Sequence, residues 1–370
     1  MKVAFILNSS WNIYNFRKGL VQHFLDRGDE VVAIAPKDDY SHLLEEMGCK
    51  FVPLDMEGTG MNPIRDFGLI FSIRKRLKSE QPDVVLSYTI KPNMYGSIAC
   101  GSLGIPCICN VSGLGTVFLW KGILRRLAVN MYRFAFRFNK WVFFQNNEDR
   151  DEFLSFVNIN PQKTSLVPGS GINTSQFGVA PSGNKDKTVF LMVSRLIVEK
   201  GVREYIEAIK HIKPDRKKLE FRLIGGLDEG HARAISRDEL DEWIEDDLIT
   251  YKQHSDHIAD EMKQADVIVL PSYREGTPRT LLEGGASGKI LLATDVPGCR
   301  HVVRSGVNGF LFEVRNPKDL AAKITLLMSM SSQEQEEMSR NSRKIIEEVF
   351  DESHVVKSYS DKIDELLSEN

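Results

Sequence analysis

Strand-length apolar runs alternate with helix-length segments along this chain, stop at one polar stretch, and then start again. Val3–Leu7, Glu30–Ala35, Lys50–Leu54, Val84–Ser87, Ile105–Asn110 and Trp141–Gln145 read as strands. The rhythm resumes with Val189–Val193, Leu219–Ile224, Ile249–Tyr251, Val267–Leu270 and Ile290–Ala293. Strands separated by helices form a parallel, doubly wound sheet. Pro168 to Lys187, rich in Gly, Ser, Asn and Pro, separates the two series and reads as a linker. The expected architecture is therefore α/β, with two Rossmann-like doubly wound domains facing a central cleft. The expected boundaries are 1–168, a linker over 169–187, 188–350, and a C-terminal helix over 351–370. A chain of 370 residues is long enough for two cores.

Glu275 and Glu283 flank a short loop rich in turn residues, P-S-Y-R-E-G-T-P-R-T-L-L-E-G-G over 271–285. Glu275 follows the strand that ends near Pro271. Pro278 suits the first turn of a helix, which puts Glu283 one to two turns inside it. The helix start carries unpaired N–H groups and roughly half a positive charge. It can hold a phosphate, with a carboxylate on either side to accept hydroxyl hydrogen bonds. Upstream, Ser194-Arg195-Leu196-Ile197-Val198-Glu199-Lys200-Gly201 leaves the end of another strand with two cations. Arg offers a planar fork for phosphate oxygens and Lys a mobile point charge. Gly225 and Gly226 end a third strand and let a ligand approach the backbone. Open α/β sheets bind ligands at the carboxyl ends of their strands, so these groups are expected in one crevice.

The first strand leads to Asn8-Ser9-Ser10-Trp11-Asn12-Ile13-Tyr14-Asn15-Phe16-Arg17, with no G-x-G-x-x-G of a dinucleotide site. Asn8, Ser9, Asn15 and Arg17 are candidate side chains for binding an acceptor or a donor's diphosphate, with turn and capping chemistry as the alternative. Lys91, in Tyr88-Thr89-Ile90-Lys91-Pro92-Asn93, is a candidate partner for an acceptor's diphosphate, or an exposed loop lysine.

No run approaches the roughly eighteen apolar residues of a membrane span. Val3 to Leu7 reads as a first strand, not a signal peptide. The five cysteines, at 49, 100, 107, 109 and 299, lack C-x-x-C spacing and suggest buried thiols in a reducing cytoplasm. Lys and Arg outnumber Asp and Glu by 20 to 16 in residues 1–170, while acids lead by 35 to 28 in the remainder. The positive half is where an anionic acceptor would dock.

Leu119 to Lys140 reads as a basic amphipathic helix. At roughly 100° per residue, Lys121, Arg125, Arg126, Arg133, Arg137 and Lys140 fall in one arc of about 160°. The opposite arc holds Trp120, Ile123, Leu124, Leu127, Met131, Phe134 and Phe138. Such a helix either lies on an anionic membrane surface or turns an apolar face to the core.

Together, S-R-x5-K-G (Ser194, Arg195, Lys200, Gly201), G-G (Gly225, Gly226) and E-G-x-P-x4-E (Glu275, Gly276, Pro278, Glu283) resemble the retaining glycosyltransferases of the GT-B fold. Val167 to Asn173 and Val303 to Phe312 extend the resemblance over nearly the whole chain. Asn110 to Phe118 is similar to the subgroup that includes polyprenyl-diphospho-sugar N-acetylgalactosaminyltransferases. The resemblance implies a UDP-sugar donor on the C-terminal domain and a polyprenyl-diphosphate-linked saccharide acceptor on the N-terminal one. It also implies retention of configuration, with no metal or further cofactor, and a last helix that crosses back to the N-terminal domain. Localisation would be cytoplasmic, on the membrane face through 119–140, with no nucleic-acid partner.

In that frame Arg195 and Lys200 neutralise the departing diphosphate and Glu283 holds the ribose hydroxyls. Glu275, with the backbone of Gly276, Thr277 and Pro278, holds hydroxyls of the sugar. Many relatives use a histidine in the N-terminal domain, but none lies between His42 and His211 here. Ser112, in Ser112-Gly113-Leu114-Gly115, is the catalytic candidate in its place. Alternative readings are a non-hydrolysing GT-B sugar-nucleotide epimerase and a non-catalytic sugar-nucleotide-binding subunit. Asp149-x-Asp151 matches a metal-binding D-x-D but lies in the polar first turn of a helix. His254 and His257 lack a third ligand, and Asp256 between them is expected to cap the next helix.

Overall fold

The computed structural model describes residues 1–56, 63–114, 123–179, 187–212, 218–228 and 230–368. Its contacts divide the chain into two compact units, Met1–Gly171 with Glu352–Asn370, and Ile172–Asp351.

The first unit runs β1 (Lys2–Ile6), α1 (Ser10–Asp26), β2 (Glu30–Ala35), α2 (Ser41–Glu46), β3 (Lys50–Pro53), α3 (Pro63–Glu80) and β4 (Val84–Tyr88). It continues through a single π-helical turn at Pro92–Gly96, α4 (Ser97–Leu103), β5 (Cys107–Val111), α5 (Ile123–Ala135), β6 (Trp141–Phe144), α6 (Asn147–Phe156) and β7 (Thr164–Leu166). The seven strands lie in the order β3-β2-β1-β4-β5-β6-β7, and every pairing is parallel. Helices cover both faces, which is why β1, β4 and β5 are nearly unbroken apolar runs. One core layer joins Leu69, Ile73 and Leu77 of α3 to Ala128, Val129 and Tyr132 of α5. The other carries Leu20, Val21 and Phe24 of α1, together with Val355, Tyr359 and Ile363 from the C-terminal end of the chain.

The second unit runs β8 (Thr188–Val193), α7 (Val202–Ile212), β9 (Leu219–Ile224), α8 (Arg237–Glu245), β10 (Thr250–Lys252), α9 (Ile258–Gln264) and β11 (Val267–Leu270). Then come α10 (Arg279–Ala286), β12 (Ile290–Thr294), α11 (Pro297–Val302), β13 (Gly309–Phe312), α12 (Pro317–Ser329) and α13 (Ser332–Ile345). Its sheet, order β10-β9-β8-β11-β12-β13, is also wholly parallel. Within the stretch expected as linker, Ile172 and Phe177 are buried in this unit's core, and the Ile172 N–H bonds to the Phe350 carbonyl at 2.9 Å. Two apolar side chains in a polar stretch suffice to dock it; residues 180–186 lie outside the described set. The last helix, α14 (Glu352–Ser368), belongs to the first unit.

All five cysteines are buried free thiols. Among the described residues, no helix is long and apolar enough to cross a membrane.

Candidate functional site

Each sheet starts at a central strand and winds outward first one way, then the other. Its strand order therefore reverses between β1 and β4 in one unit and between β8 and β11 in the other. Ligands of open α/β sheets sit at such switch points, beyond the carboxyl ends of the strands. In the second unit Ser194-Arg195 leave β8, Gly225-Gly226 leave β9 and Pro271 to Glu275 leave β11, three neighbouring strands.

Local packing fixes these loops against one another. Gly201 has φ +73°, and a Cβ there would lie 2.0 Å from the Pro271 carbonyl oxygen, so the start of α7 sits directly on the end of β11. The Tyr273 N–H donates to the Glu199 carbonyl at 2.9 Å. These contacts bring Lys200 Nζ to 2.5 Å from Glu275 Oε1, with side chains 25% and 12% exposed. On the far side, a Cβ on Gly298 of α11 would lie 2.0 Å from the Gly276 carbonyl oxygen. Thr280 Oγ1 donates to the Val193 carbonyl at 3.2 Å and ties the first turn of α10 to the end of β8. Pro278 is the residue before α10 and brings no side-chain cap.

Glu283 lies one turn inside α10, 16% exposed, and accepts from Arg279 Nε at 2.9 Å. Burial raises its pKa and the Arg279 charge opposes the rise. Arg195 is 65% exposed, with Nη1 3.5 Å from Asp228 Oδ2. A Cβ on Gly225 would lie 1.7 Å from the Ser194 carbonyl oxygen, whereas Gly226 faces open space. Tyr273 Oη donates to Glu204 Oε1 at 2.7 Å, and burial with this carboxylate pushes its pKa up to about 12. Ser194 Oγ, Ser272 Oγ and Thr277 Oγ1 are buried and have no hydrogen-bond partner. The expected donor-site residues thus share one sheet edge. It joins an anion-binding helix start and cations to carboxylates and unpaired hydroxyls. Its chemistry suits a ligand with both phosphate and hydroxyl groups.

In the first unit, Asn8 and Ser9 follow β1, Lys91 follows β4 just before Pro92, and the exposed Ser112 follows β5. All four lie at the carboxyl edge. Only Asn8 and Ser9 of the stretch from Asn8 to Arg17 lie between β1 and the next helix, because α1 begins at Ser10. Ser9 caps it, accepting from the Asn12 N–H at 3.1 Å, so the capping reading accounts for Ser9. Asn15 Nδ2 donates to the Trp11 carbonyl at 2.9 Å inside the helix. Arg17, two turns in, is buried 4.2 Å over the Tyr88 ring.

Two further expectations change, and the reading of Asp149 as part of a helix's first turn holds. Among the described side chains of α5, Ala128, Val129, Tyr132 and Ala135 are buried and Met131 of the expected apolar arc packs partly buried against the same core, while Leu127 and Phe134 of that arc are exposed, next in sequence to Arg126 and Arg133. Trp120 and Lys121 lie outside the described residues. Asp256 does not cap α9; it pairs with His254 Nε2 at 2.9 Å. Asp149 Oδ2 accepts from Asn146 Nδ2 at 2.9 Å in the first turn of α6.

Arg279, Asp228 and Gly298 were missed by sequence reasoning. The i,i+4 spacing of Arg279 and Glu283 was a usable signal. Asp228 and Gly298 depend on folded proximity and left none.

Comparison with known proteins agrees with this geometry. Residues 179–345 match the model described as "Glycosyl transferases group 1", and residues 18–176 match "Glycosyltransferase Family 4". The chain is 29% identical over 345 residues to the N,N'-diacetylbacillosaminyl-diphospho-undecaprenol alpha-1,3-N-acetylgalactosaminyltransferase of Campylobacter jejuni, covering 89% of each. It is 27% identical over 300 residues to the UDP-Gal:alpha-D-GlcNAc-diphosphoundecaprenol alpha-1,3-galactosyltransferase of Escherichia coli, covering 76% of this chain and 74% of that one. Anabaena Alr3699/HepE, solved in complex with UDP and glucose, superposes with a TM-score of 0.81 at 18% identity over 99% of this chain and 100% of that one. Sucrose-phosphate synthase from Thermosynechococcus elongatus reaches 0.81 at 16% identity over the whole of both chains. These two likenesses show the GT-B fold.

Proposed function

Because the chain belongs to the group 1 and family 4 glycosyltransferases, we propose that it moves a HexNAc or hexose from a UDP-sugar to a polyprenyl-diphosphate-linked saccharide, with retention of anomeric configuration and without a metal. The names of the Campylobacter and Escherichia relatives support the acceptor class. The observation that carries the donor reading is the meeting of Lys200 with Glu275 at the switch point, beside the start of α10 and the open backbone of Gly226.

In this reading Arg195, Lys200 and the α10 N-terminus take up the negative charge of the departing UDP, which replaces the work of a metal ion. Glu283 accepts from the ribose hydroxyls. Glu275, Gly276, Thr277 and Pro278 line the sugar, and the unpaired Thr277 and Ser194 hydroxyls find partners in the ligand. The bond from the anomeric carbon to the phosphate oxygen breaks and a bond to the acceptor oxygen forms on the same face. The acceptor proton passes to the leaving phosphate. Lys200 holds the Glu275 carboxylate, which disfavours Glu275 as a covalent nucleophile. In the first unit, Asn8, Lys91 and Ser112 are the acceptor-side groups at the sheet edge. The exposed Leu127 and Phe134 beside Arg126 and Arg133 support contact of α5 with an anionic bilayer, at its cytoplasmic face.

The test is UDP release from a panel of UDP-sugars, with and without a polyprenyl-diphospho-sugar, in chelator. Acceptor-dependent release of UDP is expected. Interconversion of the sugar without acceptor, or UDP binding with no turnover, would reject transfer.

A further inference from the structure

The proposed function gives Arg17 of α1 no task, yet its setting is costly for a cation. The residue is 5% exposed, and Nε and Nη1 are buried with no hydrogen-bond partner among the described residues. The guanidinium lies over the Tyr88 ring, 4.2 Å from its centroid. A buried charge that gives up its hydration for one aromatic face is unfavourable until an anion completes it. Side chains of a helix lean toward its N-terminus, so Arg17, two turns in, reaches back to Tyr88, the last residue of β4. There the strand order of the first unit reverses, between β1 and β4, and open sheets take their ligands at such points.

Other orphaned polar groups gather at the same strand ends. Tyr88 Oη, Thr89 Oγ1 and, near the end of β5, Asn110 Oδ1 are buried without a partner among the described residues. Asn110 Nδ2 donates to Tyr359 Oη of α14 at 2.9 Å, and the Tyr359 ring lies 6.0 Å from that of Tyr88. Burial raises the pKa of both phenols, so each keeps its proton and can donate it. Thr89 has φ +68°, a left-handed conformation that a β-branched residue holds only under constraint. A guanidinium beside hydroxyl donors is suited to an oxyanion.

We infer that Arg17, with the hydroxyls of Tyr88 and Thr89, binds a phosphate of the acceptor's diphosphate. The inference rests on the acceptor reading, which places a diphosphate-linked saccharide on the first unit. The donor's own diphosphate is assigned to Arg195, Lys200 and the α10 start in the second unit. Nε and Nη1 give up no bond when the side chain turns to a ligand, so the move costs only the cation–π contact.

The experiment is titration calorimetry of the full chain with inorganic pyrophosphate, in saturating UDP so that the donor groups are filled. The wild type should bind. Arg17→Met should bind about tenfold to a hundredfold more weakly and melt no lower than the wild type, because an apolar chain replaces a buried charge without a partner. Arg17→Lys keeps the charge without the fork and should recover part of the affinity. Initial rates are then compared with one saccharide offered as a prenyl diphosphate and as a phosphate-free alkyl glycoside. Arg17→Met should raise KM for the first by about tenfold or more and leave KM for the second unchanged. Equal pyrophosphate affinity in wild type and Arg17→Met, whatever the melting temperature, makes Arg17 a structural group and overturns the inference. Weaker pyrophosphate binding with an unchanged KM for the prenyl diphosphate assigns the site to free phosphate and overturns the acceptor's place in it. A wild type that transfers to neither acceptor, while Arg17 still governs pyrophosphate, condemns the functional reading and leaves the anion site standing.

Discussion

Glu275→Gln should separate the two roles assigned to the Lys200–Glu275 contact. At 2.5 Å the gross attraction of two unit charges is about 7 kcal/mol at an effective dielectric constant near 20. The side chains are 25% and 12% exposed, so desolvation and screening reduce the net coupling to about 1–2 kcal/mol. Without the carboxylate, Lys200 is released to the ligand phosphates. UDP should therefore bind the variant more tightly than the wild type, by about tenfold, since about 1.4 kcal/mol is a factor of ten. Transfer should move the other way. The sugar loses a charged acceptor and kcat should fall by about a hundredfold, the scale of one lost charge-directed hydrogen bond in a transition state. Lys200→Met should weaken UDP and slow transfer together. Titration calorimetry with UDP and initial rates with donor and acceptor give both quantities. If Glu275→Gln weakens UDP as much as Lys200→Met does, the pair acts only as a structural bridge and the assignment of Lys200 to the diphosphate fails.

Arg195→Ala, at a 65% exposed cation, should raise the Kd for UDP about tenfold and leave the melting temperature within a degree or so. Glu283→Gln should abolish discrimination between UDP and 2′-deoxy-UDP in calorimetry, and persistence of the wild-type preference would remove Glu283 from the ribose. Gly298→Ala, whose Cβ would fall 2.0 Å from the Gly276 carbonyl oxygen, should cost about 1–3 kcal/mol in thermal unfolding and slow transfer at least tenfold; a wild-type rate would show that the 271–278 loop need not be held in place. Glu239 of α8, bonded to Arg203 at 2.7 Å and 3.1 Å, has its pKa lowered to about 2, chiefly by that guanidinium. Its folded value lies below the ordinary 4.5, so its stabilisation is present above that pH and lost as the pH falls toward 2. The loss of unfolding free energy across that window should be smaller in Glu239→Gln, by no more than about 1 kcal/mol because Arg203 is half exposed.

Continuous apolar runs made most of the sheet legible, because strands covered on both faces need no polar alternation. The two strands that escaped notice, Thr164–Leu166 and Gly309–Phe312, lie at sheet edges. The placement of the residues proposed for the donor was legible for a related reason. Cations, glycines and carboxylates placed just after buried strands can only be at a sheet's carboxyl edge. What was not legible was pairing. Lys200 and Glu275 are 75 residues apart, and their contact depends on Gly201 settling on the end of β11.

The failure at α5 has a different physical origin. Helical periodicity separates polar from apolar residues and assumes that the apolar arc is the buried one. Here a close-packed face built on Ala128 and Ala135 wins the core, and Leu127 and Phe134 turn outward. Phe67 and Phe71 do the same on α3. Where a surface has its own apolar partner, an amphipathic pattern reports two hydrophobic faces at once and cannot rank them. An error of that kind is expected where burial in the fold and burial in a partner compete for the same residue type.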